Sequence, residues 1–105
     1  MTPLLIFATL TPVFITTYHS KYDFRTTKSG AIYDPRKLSV AVPRPKWSTL
    51  KGKTLVFHYE GRSVKVKVTD TCGPGVRNYD LSRAAWDALT RNAYPSRVKG
   101  LMGVE

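Results

Sequence analysis

The most regular pattern in the chain lies in residues 63–69, where valine and lysine alternate for most of the segment. A period of two residues is typical of a strand with one buried face, so the valines are predicted to point inward and the lysines outward. Residues 54–58 also have strand composition, and Glu60 and Gly61 stand between the two segments as a turn signal. The pattern therefore predicts a β-hairpin whose outer face is kept soluble by its lysines.

Three other segments have the apolar, β-branched composition of strands, and they lie at residues 13–18, 38–42 and 97–104. Residues 19–37 are polar and contain Gly and Pro turn signals, so they are predicted to form a loop. The second of the three strands is expected to end where Pro43 follows it, because proline cannot donate to a sheet.

A helix is predicted after Ser82, which is a favourable N-cap residue, and it is expected to run to about Arg91. Arg83 and Asp87 stand four residues apart on its outer face. Trp86 borders the apolar stripe and is predicted to belong to the core. The stripe itself consists of Leu81, Ala85, Ala88 and Leu89. Five or six short strands with one helix indicate a mainly β fold, a small barrel with a helix over one end.

The N-terminal segment differs from the rest, because no charged side chain occurs before His19. Residues 4–8 are similar to the apolar core of a signal peptide, but no basic region precedes them, prolines interrupt the run and no clear cleavage site follows. The run is also too short and too rich in threonine to span a bilayer. We interpret residues 1–12 as an apolar arm or signal-like segment, available to a protein partner, and residues 13–105 as the folded domain.

The charge of the chain narrows the classes of partner. Seventeen Lys and Arg residues against seven Asp and Glu residues give a net charge of +10 over 105 residues. An anionic partner is expected, either nucleic acid, an anionic cell envelope or an acidic polysaccharide. Nucleic acid is the least favoured of these, because the sequence has neither an RNP-type Arg/aromatic stripe nor a helix-turn-helix pair.

Cysteine and histidine are scarce. Cys72 is the single cysteine, which excludes an intrachain disulfide framework and a Cys-based zinc site. His19 and His58 are the two histidines, too few to favour a His-rich metal site. The glycine-rich loop that follows Cys72 lacks the lysine of a phosphate-binding loop, so neither a metal nor a nucleotide cofactor is expected.

Two of the seven acidic residues stand in positions that favour a catalytic role. Asp70 ends a strongly apolar strand, and Asp80 lies just before the helix N-cap, with a short Gly-Pro-Gly loop between them. Both carboxylates can therefore reach one cleft, where they would push their pKa values apart and leave one protonated as a general acid. Two structural alternatives remain open. Asp80 can cap the start of the helix, where the helix dipole favours an acid, and Asp70 can pair with a nearby Lys or Arg.

The run Val64 to Thr90, VKVKVTDTCGPGVRNYDLSRAAWDALT, resembles double-psi β-barrel proteins of the rare lipoprotein A and expansin type. In those families a strand ends in an Asp, a Gly/Pro loop follows, and Asp-Leu-Ser leads into an Ala-rich helix. Residues 26–44 are similar to the loop and second strand of the same families, and the likeness covers about residues 15–104. The resemblance implies a six-stranded double-psi β-barrel with one short α-helix after the Asp-Leu-Ser segment.

The resemblance also implies action on cell-wall polysaccharide, with the two acids of the family falling on Asp70 and Asp80. In lytic members an acid protonates the glycosidic oxygen, and the 6-hydroxyl of the sugar attacks the anomeric carbon to give a 1,6-anhydro product. Asp80 is the expected acid and Asp70 its partner. Peptidoglycan is the expected substrate, and the expected location is the cell envelope, the periplasm, the extracellular space or a phage particle. Further candidates for substrate contact are Tyr18, His19, Ser29, Tyr33 and Tyr79.

Two departures from the family pattern keep other functions open. Enzymes of the rare lipoprotein A type have a His shortly after the second strand, whereas residues 40–44 here contain none, so His19 is a candidate replacement. Many expansin-like proteins pair a loop cysteine with a second one, and Cys72 has no such partner. The alternatives to an enzyme are a non-catalytic expansin-like module that binds or loosens walls, and a structural virion or assembly protein that retains the barrel.

Overall fold

A computed structural model describes residues 9–92 and 97–105 of the chain. Its strands, in chain order, are β1 (Thr11–Thr17), β2 (Ser39–Val42), β3 (Thr54–Tyr59), β4 (Arg62–Thr71), β5 (Tyr79–Leu81) and β6 (Arg97–Val104). Its α-helices are α1 (Trp47–Leu50) and α2 (Arg83–Thr90), and short 3-10 helices lie at Ser20–Tyr22 and Arg44–Lys46. The six strands form a closed barrel in the order β1-β5-β2-β4-β3-β6.

The predicted hairpin is confirmed as the antiparallel pair β3–β4, in which Leu55 faces Val66 and Phe57 faces Val64. The valines of β4 are buried and its lysines are exposed, as the alternation predicts. Two pairs of strands are parallel, β1 with β5 and β2 with β4, and the remaining neighbours are antiparallel. Parallel neighbours require a crossover connection, so residues far apart in sequence lie side by side on neighbouring strands.

The helix α2 begins where the sequence predicts. The Ser82 hydroxyl accepts a hydrogen bond from the backbone N–H of Ala85 at 3.4 Å, and it accepts another from the N–H of Ser39 at 3.1 Å. Trp86 is fully buried, so its assignment to the core is confirmed, whereas Ala88 is exposed and its place in the stripe was wrong. The buried face of α2 is Ala85, Trp86, Leu89 and Thr90.

Among the strands and α-helices, the sequence pattern missed two short elements. The three residues of β5 are too few to show a period, and α1 follows a proline-containing segment without a cap residue. Strand β1 begins at Thr11, two residues before its predicted start, and part of the predicted arm, residues 1–8, lies outside the described residues. None of the helices in residues 9–92 and 97–105 is long and apolar enough to cross a membrane.

Strand β6 approaches its neighbours closely at Gly100. A Cβ atom there would lie 2.6 Å from the backbone oxygen of His58 and 2.8 Å from the Ile15 side chain. Gly100→Ala is therefore expected to lower the free energy of unfolding by about 1–3 kcal/mol, as overpacking does elsewhere. Gly103→Ala is the matched control, since its Cβ would meet only the flexible Leu10 side chain at 3.2 Å. Urea unfolding measures both variants, and equal losses would contradict the prediction.

Candidate functional site

The two acids singled out in the sequence flank one small residue of the barrel wall. Ala41 on β2 is the register partner of Asp70 on β4 and of Asp80 on β5. Asp80 is in turn the register partner of Thr16 on β1. Register partners on neighbouring strands present their side chains on the same face, and two strand spacings place the Cα atoms of the two acids about 10 Å apart.

Asp70 reaches this row because the ladder between β2 and β4 is irregular. Val40 pairs with Val68, but the next residue of β2, Ala41, pairs with Asp70, so Thr69 is an extra residue of β4. In a regular strand the Asp70 side chain would point into the barrel, as those of Val66 and Val68 do. The shift of one residue turns its carboxylate to the outer face, as bulges next to functional sites do.

The carboxylates of Asp70 and Asp80 open into one cleft of about 610 Å³, which we call the acidic cleft. Ala41 forms part of its floor, and Thr16 lines it beside Asp80. Other residues that line it are Tyr18, Tyr22, Arg44, Thr71, Cys72 and Val76. The cleft therefore combines two acids, an arginine and two tyrosine rings.

Asp80 is partly buried, and its pKa lies well above its usual value. Its Oδ1 atom accepts a hydrogen bond from the Thr16 hydroxyl at 2.9 Å. Burial raises the pKa of Asp80 from 3.8 to about 6; the Thr16 bond opposes this rise, and the charge of Asp70 adds to it. A carboxyl group with this pKa holds its proton in mildly acidic solution and can donate it.

Asp70 is held by three donors of the chain itself. Its Oδ2 atom accepts from the Tyr18 hydroxyl at 2.9 Å, and its Oδ1 atom accepts from the backbone N–H groups of Lys28 and Thr71, both at 2.9 Å. The bond to Lys28 fixes the loop between β1 and β2 against the end of β4. Asp70 is therefore both a wall of the acidic cleft and an anchor for that loop.

A small aromatic cluster supports the Asp70 side of the cleft. The Tyr18 ring stacks on the Tyr33 ring with centroids 4.1 Å apart and planes 9° apart. Burial raises the pKa of Tyr18, and the neighbouring Asp70 carboxylate raises it further, so the hydroxyl stays protonated as a donor. Tyr22 meets Tyr18 edge-on at 6.1 Å and is 42% exposed, which leaves ring surface accessible at the cleft.

Tyr18 lines the acidic cleft, but the other four predicted substrate contacts do not. Tyr33 is buried, and its hydroxyl accepts from the N–H of Arg83 at 3.1 Å. Tyr79 is buried against Phe57 inside the barrel. His19 lines a different cavity, and its Nδ1 atom accepts from the N–H of Lys21 at 3.0 Å.

Ser29, the last of the four, is exposed in the loop between β1 and β2. Its hydroxyl lies 3.0 Å from that of Thr27, and its N–H donates to the backbone oxygen of Thr69 at 3.1 Å. These bonds place Ser29 next to the segment that holds Asp70, where it helps to fix the loop.

Cys72 lines the cleft as a protonated thiol. Its Sγ atom donates toward the backbone oxygens of Asn78 at 3.2 Å and Ala41 at 3.5 Å. Burial raises the pKa of Cys72 to about 12, with the two cleft acids adding to the rise, so the thiol is a poor nucleophile. No group of three His, Cys, Asp or Glu side chains in the described part of the chain is placed to hold a metal ion.

The sequence pattern did not single out Thr16, Tyr22 or Arg44, which line the cleft. Thr16 donates to a carboxylate 64 positions away, and Arg44 bonds to the backbone of a segment 28 positions away. Tyr22 reaches the cleft because a 3-10 helix turns the chain directly after β1. An aromatic or cationic residue soon after a strand is the one hint that could have indicated Tyr22 or Arg44.

The raised pKa of Asp80 has a consequence for stability. The folded protein binds this proton more tightly than the unfolded chain, so the stabilising contribution is complete below pH 3.8 and is lost as the pH rises through about 6. The rise from 3.8 to about 6 corresponds to about 3 kcal/mol. Asp80→Asn removes this dependence on pH. Between pH 4 and pH 8, the free energy of unfolding of the wild type is therefore expected to fall by up to about 3 kcal/mol relative to that of the variant.

Urea unfolding of both proteins across that pH range measures the difference, in which the contributions of other titrating groups cancel. Asp87→Asn is the control, because Asp87 is an exposed acid in an ion pair with Arg83 at 3.6 Å. A constant difference between wild type and Asp80→Asn would contradict the altered acidity.

Fold and site together define a small closed double-psi β-barrel with an acidic cleft on the outer face of its wall. Within that class, the chain belongs to the lytic transglycolase family, whose sequence profile matches residues 13–105. The expected resemblance and the expected fold class are thereby confirmed. No curated protein matches the chain in sequence.

Solved structures of related shape agree with the fold. Streptomyces papain inhibitor is 25% identical with a TM-score of 0.74, and the match covers 90% of this chain and 91% of the inhibitor. An expansin of Clavibacter michiganensis is 22% identical with a TM-score of 0.70, and the chain spans 50% of the length of that protein. An Asp-to-Asn variant of the same expansin, in complex with cellohexaose, matches at 21% identity and a TM-score of 0.70 over 92% of this chain and 50% of the expansin. The expansin matches support the fold.

Proposed function

We propose that this domain cleaves the glycan strands of peptidoglycan by lytic transglycosylation, with Asp80 as the general acid. The observation that carries the proposal is the Asp80 carboxyl group, whose pKa is about 6 in a cleft shared with a second carboxylate. Cleavage of a glycosidic bond needs a proton donor of this kind beside a group that stabilises positive charge. Membership of the lytic transglycolase family supports the reaction type.

The reaction balances with the residues of the cleft. Asp80 donates its proton to the bridging oxygen as the bond between that oxygen and the anomeric carbon breaks. The 6-hydroxyl oxygen of the same sugar then bonds to the anomeric carbon, and its proton returns to the Asp80 carboxylate. One strand leaves with a new hydroxyl group and the other ends in a 1,6-anhydro ring, so no water is consumed.

Asp70 contributes negative charge near the anomeric carbon without donating a proton. Three donors hold its oxygens in place, and the stacked rings of Tyr18 and Tyr33 keep one of those donors rigid. A carboxylate that is already oriented stabilises developing positive charge without first reorganising. The exposed ring of Tyr22 offers a surface on which a sugar ring can stack.

A second candidate is a domain of expansin type that binds wall polymers without turnover. The observation that favours it is the bonding of the acids within the chain, because Asp70 accepts three internal hydrogen bonds and Asp80 accepts one. Enzymes of the rare lipoprotein A type have a His in the segment that corresponds to residues 40–44. This segment contains no His here; Val42 is buried and Arg44 is exposed. In either case the polymer is a carbohydrate and the site of action is the envelope or the extracellular space, including a wall met by a phage particle.

Mass spectrometry of the soluble products from purified peptidoglycan tests the proposal. Anhydro-muropeptides are the expected product, and reducing ends would instead indicate hydrolysis through an activated water. Absence of release, with the protein still sedimenting with the wall, would reject the enzyme and favour the binding domain. A parallel assay of papain activity tests whether this protein inhibits papain, the activity for which the Streptomyces protein is named.

A further inference from the structure

Arg44 places a fixed positive charge at the acidic cleft. It follows β2 directly after Pro43 and begins the 3-10 helix Arg44–Lys46. Its Nε atom donates to the backbone oxygen of Cys72 at 3.2 Å, which fastens the side chain to the end of β4. The residue is exposed and lines the cleft, so the guanidinium group is both positioned and accessible to a ligand.

Arg44 does not form an ion pair with Asp70 or Asp80. Within residues 9–92 and 97–105 the ion pairs are Arg36–Asp34, Lys65–Glu105 and Arg83–Asp87, and Arg44 belongs to none of them.

The cleft acids have other donors. Asp70 accepts from one tyrosine hydroxyl and two backbone N–H groups, and Asp80 accepts from Thr16. The Arg44 guanidinium therefore faces a cavity of about 610 Å³ with its charge available.

We propose that Arg44 binds a carboxylate carried by the glycan, and that it makes the acidic cleft select carboxylated over neutral glycan strands. The inference rests on the proposed function and names the feature of the substrate that the site recognises. A guanidinium group has five N–H donors, and the bond to Cys72 occupies the one on Nε. The four on the terminal nitrogens form the planar fork that matches a carboxylate in a bidentate pair.

The decisive comparison uses two ligands of nearly the same shape, one with carboxylates and the other with neutral amides in their place. One is a glycan strand of alternating N-acetylglucosamine and N-acetylmuramic acid without stem peptides, so that its lactyl carboxylates are free. The other is the same strand with these carboxylates converted to primary amides. A uronic acid oligomer is the third ligand, because it carries the same chemical group on a different sugar. Calorimetry at pH 7 measures binding, with Asp80→Asn in every protein so that no ligand is consumed.

The protein variants are Arg44→Gln, Arg44→Lys and Lys46→Gln. Lys46 is the matched control, since it is exposed in the same 3-10 helix but does not line the acidic cleft. The protein with the native Arg44 is expected to bind the free carboxylate strand about tenfold more tightly than the amidated strand, as a charge-assisted bidentate pair predicts. Arg44→Gln is expected to abolish this preference, Arg44→Lys to retain part of it, and Lys46→Gln to leave it unchanged.

Equal affinity for the free and amidated strands would overturn the proposal without any variant of Arg44, so misfolding of Arg44→Gln cannot obscure the answer. An equal loss in Lys46→Gln would also overturn it, because the effect would then be general surface charge. Tighter binding of the muramyl strand or of the uronic acid oligomer identifies the source of the carboxylate, and both outcomes support the proposal.

The product assay on wild-type protein keeps the two proposals separate. Anhydro products without an Arg44-dependent preference would retain the enzyme and reject the recognition by Arg44. A clear preference without products would retain the recognition and reject the enzyme.

Discussion

Asp80→Asn is expected to reduce the release of anhydro-muropeptides by at least about a hundredfold, the range in which general acids contribute to catalysis. The amide has nearly the shape of the protonated carboxyl group and keeps an acceptor for the Thr16 hydroxyl, which donates at 2.9 Å in the wild type. The amide has no proton acidic enough to be transferred to a leaving oxygen. Wild-type activity is expected to fall as the pH rises above about 6, because Asp80 then loses its proton.

Circular dichroism and urea unfolding of the same preparation separate loss of chemistry from loss of fold. Asp87→Asn, which removes an exposed acid of α2, serves as the control and is expected to retain full product release. Product release by Asp80→Asn at the wild-type rate would reject Asp80 as the acid. Such a result, together with a loss in Asp70→Asn, would transfer the role to the other carboxylate.

Trp86→Ala is expected to lower the free energy of unfolding by about 3–5 kcal/mol, the cost of removing a large buried aromatic side chain. Trp86 is 1% exposed and packs in the hydrophobic core, between the helix and the barrel. Small domains have about 5–15 kcal/mol of stability in total, so this variant is expected to lose much of its folded population on mild warming. Urea unfolding followed by far-ultraviolet circular dichroism measures the loss.

Trp47→Ala is the matched control, because Trp47 is the other tryptophan of the chain and packs against the same core while only partly buried. Its loss is expected to be smaller than that of Trp86→Ala. The reverse order would mean that α2 contributes less to the core than its position over the barrel indicates.

The extent to which the sequence predicts the fold depends on the length of each element. The ten residues of β4 show the alternation clearly, and α2 combines a cap residue with buried positions four apart. The three residues of β5 carry too little pattern to be seen, although they hold Asp80 in the barrel wall. Ala88 was misplaced because its apolar character fits the stripe, whereas the larger Trp86 occupies the space against the barrel.

The sequence predicted that the two acids share a cleft, but it did not predict the contacts that support them. The positions of Asp70 and Asp80 at a strand end and before a helix indicated a shared cleft, and the structure brings both to it. The extra residue at Thr69 turns Asp70 outward, and a bulge of this kind leaves no mark in composition. Tyr33 and Tyr79 were predicted at the cleft because exposed and buried tyrosines look alike in sequence.

The row formed by Thr16, Asp80, Ala41 and Asp70 draws on four strands, so backbone hydrogen bonds between neighbouring strands set the spacing of the acids. The segments at the rim, such as residues 73–78, do not determine that spacing. The spacing of the two acids and the make-up of the rim therefore depend on different parts of the chain. Rim segments can change in length and composition over evolution, or be exchanged by engineers, while the pair of acids keeps its separation.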